Sequence, residues 1–500
     1  MVSQRILNPS ETFPKPLLKL LVCLAFVLLG AQARGQETGA ASLCDSLAKD
    51  LSFIHGQLQA NSSPYNHDAA IRERTDRVFE NVLSKAPDCR TKNDYTTAVL
   101  TYLAAFHDAH LYATHLPAVD RVSTNVWIRK LNDRYYVWNS TGESPYGLRR
   151  GDEWLSCAGR PPEDILIHDV LALRGYTALD AALYGYAADV FVRADKAKGE
   201  KIGCEFSQNG KTITKTLEWE SFDEKSQKQF KEEVEKRPVY SISKEPWGYW
   251  VGLSDMWPET PADREAMQSF VGDAGKLRGA KTLVLDLRGN GGGWASWGYR
   301  WIDGLYGLSP EPEEEGSSCR LWASPENLRY FRDVNAEMLK RNPTDSADAK
   351  SHRAQIEWLS EDKKGFIDCA PPTLPEAKSR EPRPLRYQGR LYVLTDAACF
   401  SSCEAFLTAL RALPGVIHIG LPTNAMTIYS DEREVESPSH NAGVQFPQKV
   451  LDAPSRWKER KPGEALRPVI PLQYDPAQEA RGQDSLRGAV LDLLKSDGRL

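Results

Sequence analysis

The sequence predicts a mixed α/β, multidomain (α+β) protein: a helical bundle first, a β-rich region second and an α/β core last. Three observations carry this reading. Apolar residues recur at three- and four-residue spacing within 37–116, short β-type runs with a hairpin signal fill 117–222, and from Trp247 onward strand-like runs alternate with helical ones. The chain has 500 residues, 41% hydrophobic and 26% charged, which excludes global disorder and suffices for more than one core. Lys and Arg number 63 against 68 Asp and Glu. The resulting net charge of −5 argues against a nucleic-acid footprint spread over the molecule.

The first element is a targeting segment. Arg5, Lys15 and Lys19 precede the apolar run Leu20 to Gly30, and Ala31-Gln32-Ala33 supplies a small-x-small cleavage pattern. The run is shorter than the roughly 20 residues a membrane helix needs, so residues 1–33 read as a signal peptide. Cys23 sits inside the apolar run rather than at its end, so no lipid anchor is expected, and no other stretch is apolar enough to span a bilayer. Removing 1–33 takes away three cations and Glu11 and moves the net charge from −5 to −7.

Eight cysteines then remain: Cys44, Cys89, Cys157, Cys204, Cys319, Cys369, Cys399 and Cys403. An even count in an exported chain favours disulfides, and sequential pairing within each region is the expectation. The spacings lack the paired C-x2-C of a zinc site, so no metal is expected, and nothing in the sequence implies an organic cofactor. A secreted or periplasmic location follows.

The helical region reads as Ala40 to Leu58, Ala69 to Leu83 and Asp94 to Phe106, with Asn93 as the cap candidate of the third helix. In 117–222 the strand-like runs are Asn125 to Arg129, Arg134 to Asn139 and Lys201 to Phe206. Asn209-Gly210 is a two-residue hairpin signal. Glu224 to Lys236 is charged enough to be a solvated helix or linker. The core, 240–500, carries strands at Tyr249 to Leu253, Thr282 to Leu287, Leu391 to Thr395 and Val416 to Ile419, and helices at Pro261 to Leu277 and Ser402 to Leu413. An insertion rich in Pro, Glu and Arg occupies 308–385, with a helix from Leu328 to Lys340.

Two segments carry chemistry. Val284-Leu285-Asp286-Leu287-Arg288-Gly289-Asn290-Gly291-Gly292-Gly293 is a buried strand ending in consecutive glycines, whose backbone can approach a ligand closely. It lacks the Gly-Lys-Ser/Thr of a phosphate loop and the glycine spacing of a dinucleotide fold. Tyr392 to Phe406 runs from a strand through Ala397-Ala398-Cys399-Phe400-Ser401-Ser402 into a helix. A hydroxyl at such a helix start is either a cap or a nucleophile placed beside free N–H groups.

Together these segments resemble the tail-specific (C-terminal processing) serine peptidase family, relatives of which include the tricorn core protease and interphotoreceptor retinoid-binding protein. The family pattern is a strand ending D-x-R-x-N-x-G-G, then a strand followed by a small-residue turn with the nucleophile three before a glutamate. Here those positions are Ser401 and Glu404. Gly147-Leu148-Arg149-Arg150-Gly151-Asp152-Glu153-Trp154-Leu155 resembles a PDZ segment, so 117–222 is expected to be a PDZ-like domain with two tight glycine turns around one strand. The resemblance implies a peptide or protein substrate and an α/β peptidase core. It also implies an oxyanion hole from the N–H groups of Ser402 and either Gly291 or Gly292. Lysine-dependent members place their base in G-x-P-T-x-G-K. The matching Gly420-Leu421-Pro422-Thr423-Asn424-Ala425-Met426 has methionine there, which cannot take a proton. The tricorn-like branch uses a histidine before the core. Phe106-His107-Asp108-Ala109-His110 offers His110, with His107 and His115 as weaker alternatives and Glu436 as the orienting acid. The missing lysine also motivates a non-catalytic protein on this scaffold, binding a peptide or a lipophilic ligand. A PDZ-type adaptor is a third possibility.

Overall fold

The computed structural model describes residues 40–139, 146–225, 227–228, 230, 237–308, 319–341, 347–360, 362–369, 385–425, 427–451 and 464–499. The signal-like segment 1–33, much of the charged run Glu224 to Lys236, and Met426 lie outside them.

The helical region begins with Ala40–Asn61, Ser63–His67, Ala69–Lys85 and Lys92–Ala104. Leu43, Leu47, Leu51, Ile54 and Leu58 fall on one face of the first helix and are buried, as the spacing requires. The Asp68 carboxylate accepts from the N–H groups of Ala70 and Ile71 and starts the Ala69–Lys85 helix. The cap of the next helix is Thr91 rather than Asn93. The Thr91 hydroxyl accepts from Asp94 N, and the Asp94 carboxylate accepts from the Thr91 N–H in return. Asn93 is already inside that helix.

This bundle does not close on itself. Its apolar stripe packs with Tyr429, Val444, Phe446 and Val450 from near the other end of the chain. These belong to a sheet centred on Gly443–Leu451. Tyr429–Glu436 pairs along one edge of that strand, and Tyr112–His115 and Cys319–Trp322 share the other; Phe366–Asp368 extends the sheet. The 308–385 insertion thus contributes two strands, together with the helices Pro325–Arg341 and Ala347–Trp358.

The middle region is an antiparallel sheet in the order Ile128–Leu131, Arg134–Val137, Glu153–Cys157, Lys201–Gln208, Lys211–Glu218. Asn209 (φ 51°) and Gly210 (φ 75°) turn the last hairpin, both at the positive φ that a two-residue turn of this kind needs. Gly147, Gly151 and Gly159, all at positive φ, bracket the strand Glu153–Cys157.

The core sheet runs Tyr240–Glu245, Gly248–Leu253, Thr282–Asp286, Arg390–Thr395, Val416–Gly420, Ile470–Pro471, parallel throughout except for the first, edge strand. Every residue of Thr282–Asp286 is buried, because the sheet is covered on both faces. Met267, Phe270, Trp301, Phe406 and Leu410 cover one face, from the helices Pro261–Asp273, Ser296–Tyr306 and Ser402–Arg411. Val490 and Leu494 of Ser485–Ser496 cover the other. Four disulfides pair the cysteines sequentially: Cys44–Cys89, Cys157–Cys204, Cys319–Cys369 and Cys399–Cys403. Among the described residues no helix is long and apolar enough to cross a membrane, and no cluster of three or more His, Cys, Asp or Glu could hold a metal ion.

Candidate active site

Thr282–Asp286 and Arg390–Thr395 are adjacent parallel strands, so both chemistry-bearing loops leave the same end of the sheet. Ligand sites of open parallel sheets lie at this end. Cys403 and Glu404 in the helix Ser402–Arg411 are buried, and the Cys399–Cys403 bridge straddles Ser401.

Ser401 has φ 53° and ψ −122°, a combination that residues with a Cβ seldom adopt. Its side chain makes no capping hydrogen bond to the helix it precedes. The plain cap reading of this serine therefore has no support in the geometry. Glu404, fully buried, accepts from the N–H of Ala425 at 3.1 Å and from the Thr423 hydroxyl, tying the 421–425 loop to the base of the nucleophile helix.

The glycine loop docks against this turn. Arg288, only 2% exposed, lies between Asp286 (2.6 Å) and Asp484 (2.7 Å) and fixes the strand end. The Asn290 side-chain amide donates to Leu253 O at 3.0 Å, while its Oδ1 accepts from Gly292 N at 2.9 Å. The carbonyl of Asn290 accepts from Phe400 N at 3.2 Å. A Cβ on Gly292 would lie 2.7 Å from Phe400 O and 3.0 Å from Ser401 Cβ, so only glycine allows this approach. The Ser402 hydroxyl donates to Gly293 O at 2.6 Å. Of the expected oxyanion donors, the Gly292 N–H is thus already engaged by Asn290. Among the described residues the N–H groups of Ser402 and Gly291 have no such partner.

His110 reaches this site from more than 290 residues upstream. Its ring centroid lies 5.1 Å from that of Phe400, the residue before Ser401. No hydrogen bond joins the Ser401 hydroxyl to His110. His110 Nδ1 donates to the carbonyl of Tyr429 at 2.9 Å, with Glu432 Oε1 at 3.5 Å. A carbonyl only accepts, so this contact assigns the proton to Nδ1 and leaves Nε2 with a free lone pair. Burial pushes the Glu432 carboxyl above its ordinary range, and His110 opposes that rise. Asp108 is 2% exposed. Its Oδ1 accepts from His110 N at 2.8 Å and its Oδ2 from the Thr427 hydroxyl at 2.5 Å, and burial raises its carboxyl too.

The weaker candidates lie elsewhere. His107 stacks on Tyr176, and burial lowers its imidazole pKa. His115 is 43% exposed and lies 3.9 Å from Glu436, whose other oxygen is 3.1 Å from His440. Glu436 is thus placed on His115 and His440, and the carboxylate beside His110 is Glu432, four residues earlier on the same strand. Asp108, two residues before His110, carried no signal beyond a helix end. Glu432 and Thr427 carried no local signal, because only the pairing of Tyr429–Glu436 with Gly443–Leu451 brings them to His110.

No family model matches the chain, and no curated protein is similar to it in sequence. Among solved structures, mature CPAF matches with a TM-score of 0.63 at 14% identity, covering 91% of this chain and 99% of that one. Mature CPAF complexed with lactacystin matches with 0.61 at 13% identity, over the same shares. The tricorn protease also matches, at 12% identity over 90% of this chain and 37% of that one, but its TM-score of 0.39 is too low to argue from. The chain has the α/β fold of the tail-specific proteases, the class its two motifs resemble. Its likeness to mature CPAF runs over nearly the whole of both chains.

Proposed function

We propose that the chain is an exported serine peptidase in which Ser401 attacks a peptide carbonyl and His110 is the general base. The observation that carries this reading is the convergence of a backbone-strained serine, a glycine loop pressed against it, and an imidazole whose Nδ1 is held by a carbonyl. His110 Nε2 would take the Ser401 proton as the bond forms and return it to the leaving amine. Because no hydrogen bond yet links the two, the step requires a small closure around the Phe400 side chain when substrate binds, as catalytic contacts often tighten only in the complex. Glu432 would hold and stabilise the imidazolium. The N–H of Ser402, with a loop N–H such as that of Gly291, would receive the developing oxyanion. Water then releases the acyl group by the reverse proton path.

Export is supported by the signal-like residues 1–33 and by the four disulfides. The 117–222 region is read as a PDZ-like module that takes an extended peptide or a chain end. Its antiparallel sheet and glycine turns favour this, and the test is capture of peptides by the full chain with Ser401→Ala.

The activity is tested with a fluorophosphonate probe and a casein or peptide digest. Ser401→Ala should abolish labelling and lower kcat/KM by at least about 10⁴-fold. His110→Ala should cost at least about 10²-fold while the thermal midpoint holds. Lactacystin, seen in complex with mature CPAF, is a second probe, and it should compete with the fluorophosphonate for Ser401. A folded protein that neither labels nor cleaves would replace this reading with that of a binding protein on the same scaffold.

A further inference from the structure

The loop that carries His110 is held from outside the core. Helix Lys92–Ala104 ends, His107 takes φ 52°, and the chain turns through Asp108 and Ala109 to His110. Arg74 of the helix Ala69–Lys85 grips the start of this turn, donating from Nε to Ala105 O at 2.6 Å and from Nη2 to Phe106 O at 3.3 Å. The core grips its middle through Asp108 and Thr427. A third grip comes from the β-rich middle region. There the segment Arg174–Thr177 follows the short helical turn Leu171–Leu173 and packs on the loop.

Three contacts define that grip. The Thr177 hydroxyl accepts from Ala109 N at 3.2 Å, so it satisfies the N–H of the residue immediately before His110. The Tyr176 ring stacks on His107, with centroids 5.2 Å apart and planes 24° from parallel. Gly175 lies flat on the loop: a Cβ there would sit 2.8 Å from Asp108 O and 3.1 Å from Leu111 O. The φ of Gly175 lies outside the left-handed region, so its glycine serves close approach rather than an unusual backbone angle.

From this, and resting on the reading of His110 as the base, we infer that Thr177 is a positioning residue for His110. Through Gly175–Thr177 the docked middle region sets the rate at which Ser401 is acylated. The loop has its own tie to the core in Asp108 and Thr427. The segment from the middle region adds a second tie, at Ala109 N and against the carbonyls of Asp108 and Leu111, that fixes where His110 stands relative to Phe400 and Ser401. Displacement of a catalytic group by about 1 Å costs up to about 10²-fold in rate, so a contact made entirely outside the active site can govern turnover.

The test uses the full chain with Thr177→Val, Thr177→Ser and Gly175→Ala. Thr177→Val keeps the shape and removes the acceptor, Thr177→Ser keeps the acceptor, and Gly175→Ala pushes on the loop without touching either. We expect Thr177→Val and Gly175→Ala to lower kcat and the fluorophosphonate acylation rate by about tenfold to a hundredfold. KM and the thermal midpoint should stay near the parent's, and Thr177→Ser should stay within about threefold of it. Unchanged kcat in both Val and Ala variants would overturn the inference. So would a common fall in kcat and thermal midpoint that Thr177→Ser shares. A second readout separates this from the peptidase reading itself: the ¹⁵N shifts of the His110 imidazole, assigned with His110→Gln. They should move in Thr177→Val whether or not the protein cleaves peptides, and unmoved shifts would sink the positioning role independently of activity.

Discussion

The two sides of the site are built in different ways. The nucleophile side is a fixed frame: Ser401 stands past the C-terminal ends of two adjacent parallel strands, is bracketed by the Cys399–Cys403 bridge, is backed by Asn290 and the Gly292 backbone, and its charged groups are locked in place, Arg288 between Asp286 and Asp484 and Glu404 on Thr423 and Ala425. The base side is assembled from distant parts and is ionisable: His110 is held by Asp108, Glu432, Tyr429 O and the Thr177 hydroxyl acting through Ala109. A strained turn needs a rigid, short-range frame, because its cost must be met by structure that cannot relax. A base needs a tunable environment, because its task is to gain and lose a proton.

The sharpest way to break this contrast is to disturb the nucleophile side at its closest approach. Gly292→Ala adds a methyl 2.7 Å from Phe400 O at a residue with φ 102°, so both the contact and the backbone angle resist it. We expect a loss of about 10²–10³-fold in acylation rate, the scale of a displaced oxyanion donor. This should exceed the loss from Gly175→Ala, whose methyl meets only the more distantly supported base loop. Rapid-mixing measurement of acylation decides it. Equal losses from the two substitutions would show that the base side is as rigid as the nucleophile side.

The middle-sized effect separates the two glutamates of one strand. Glu432 lies at His110, and Glu436 lies at His115 and His440. Glu432→Gln should lower kcat by about tenfold, and Glu436→Gln should leave it within about twofold of the parent. The pH dependence of stability adds a second signature. Burial raises the folded-state pKa of Glu432, so the stability this group contributes is complete below its unfolded value of about 4.3 and is lost as pH rises through the folded value. Removing the ionisable proton should make Glu432→Gln gain in thermal midpoint relative to the parent as pH is raised from about 4 to 8. Differential scanning at several pH values measures it, and a difference that shrinks over that range would place the burden of His110 elsewhere.

That division also explains what the sequence made legible. The strand–turn–helix around Ser401 and the glycine loop are contiguous, and their residue types state their geometry: Gly292 because no Cβ fits, Asn290 because a short amide can bridge its own backbone to a neighbouring strand. The parallel order of the core followed from strand–helix alternation. The base side was legible only at His110 itself. Glu432 and Glu436 are equivalent in local pattern, and only the sheet that joins Tyr429–Glu436 to Gly443–Leu451 and to Tyr112–His115 distinguishes them. The same sheet is why the helical bundle shares its core with a distant hairpin: its apolar stripe could be read from spacing, but not what would cover it. The third helix begins two residues before Asp94 because the Thr91 capping box satisfies the N–H groups of Thr91 and Asp94 reciprocally.

The smallest effect tests a titratable side chain buried on the nucleophile side. In the sheet strand that leads into the nucleophile turn, the ends of Arg390–Thr395 and Val416–Gly420 are tied by His418, whose Nε2 donates to the Thr395 hydroxyl at 2.7 Å, while that hydroxyl donates to Leu421 O at 2.7 Å. Burial pushes the His418 imidazole down to about 3, with nearby Arg411 acting in the same direction. The folded protein therefore holds it neutral where the unfolded chain, near 6.5, would begin to bind a proton. Because the unfolded state takes up the proton first, stability is full above about 6.5 and falls as pH drops from there toward 3. His418→Gln retains a donor for Thr395 and has no proton to gain, so its thermal midpoint should fall less steeply than the parent's between pH 6.5 and 4. At pH 7.5 its acylation rate should stay within about twofold, since it preserves the tie at the end of the strand that leads into the nucleophile turn. Parallel melting curves for the two proteins across that range would show instead that the acid sensitivity of this fold lies outside the strands that carry the nucleophile.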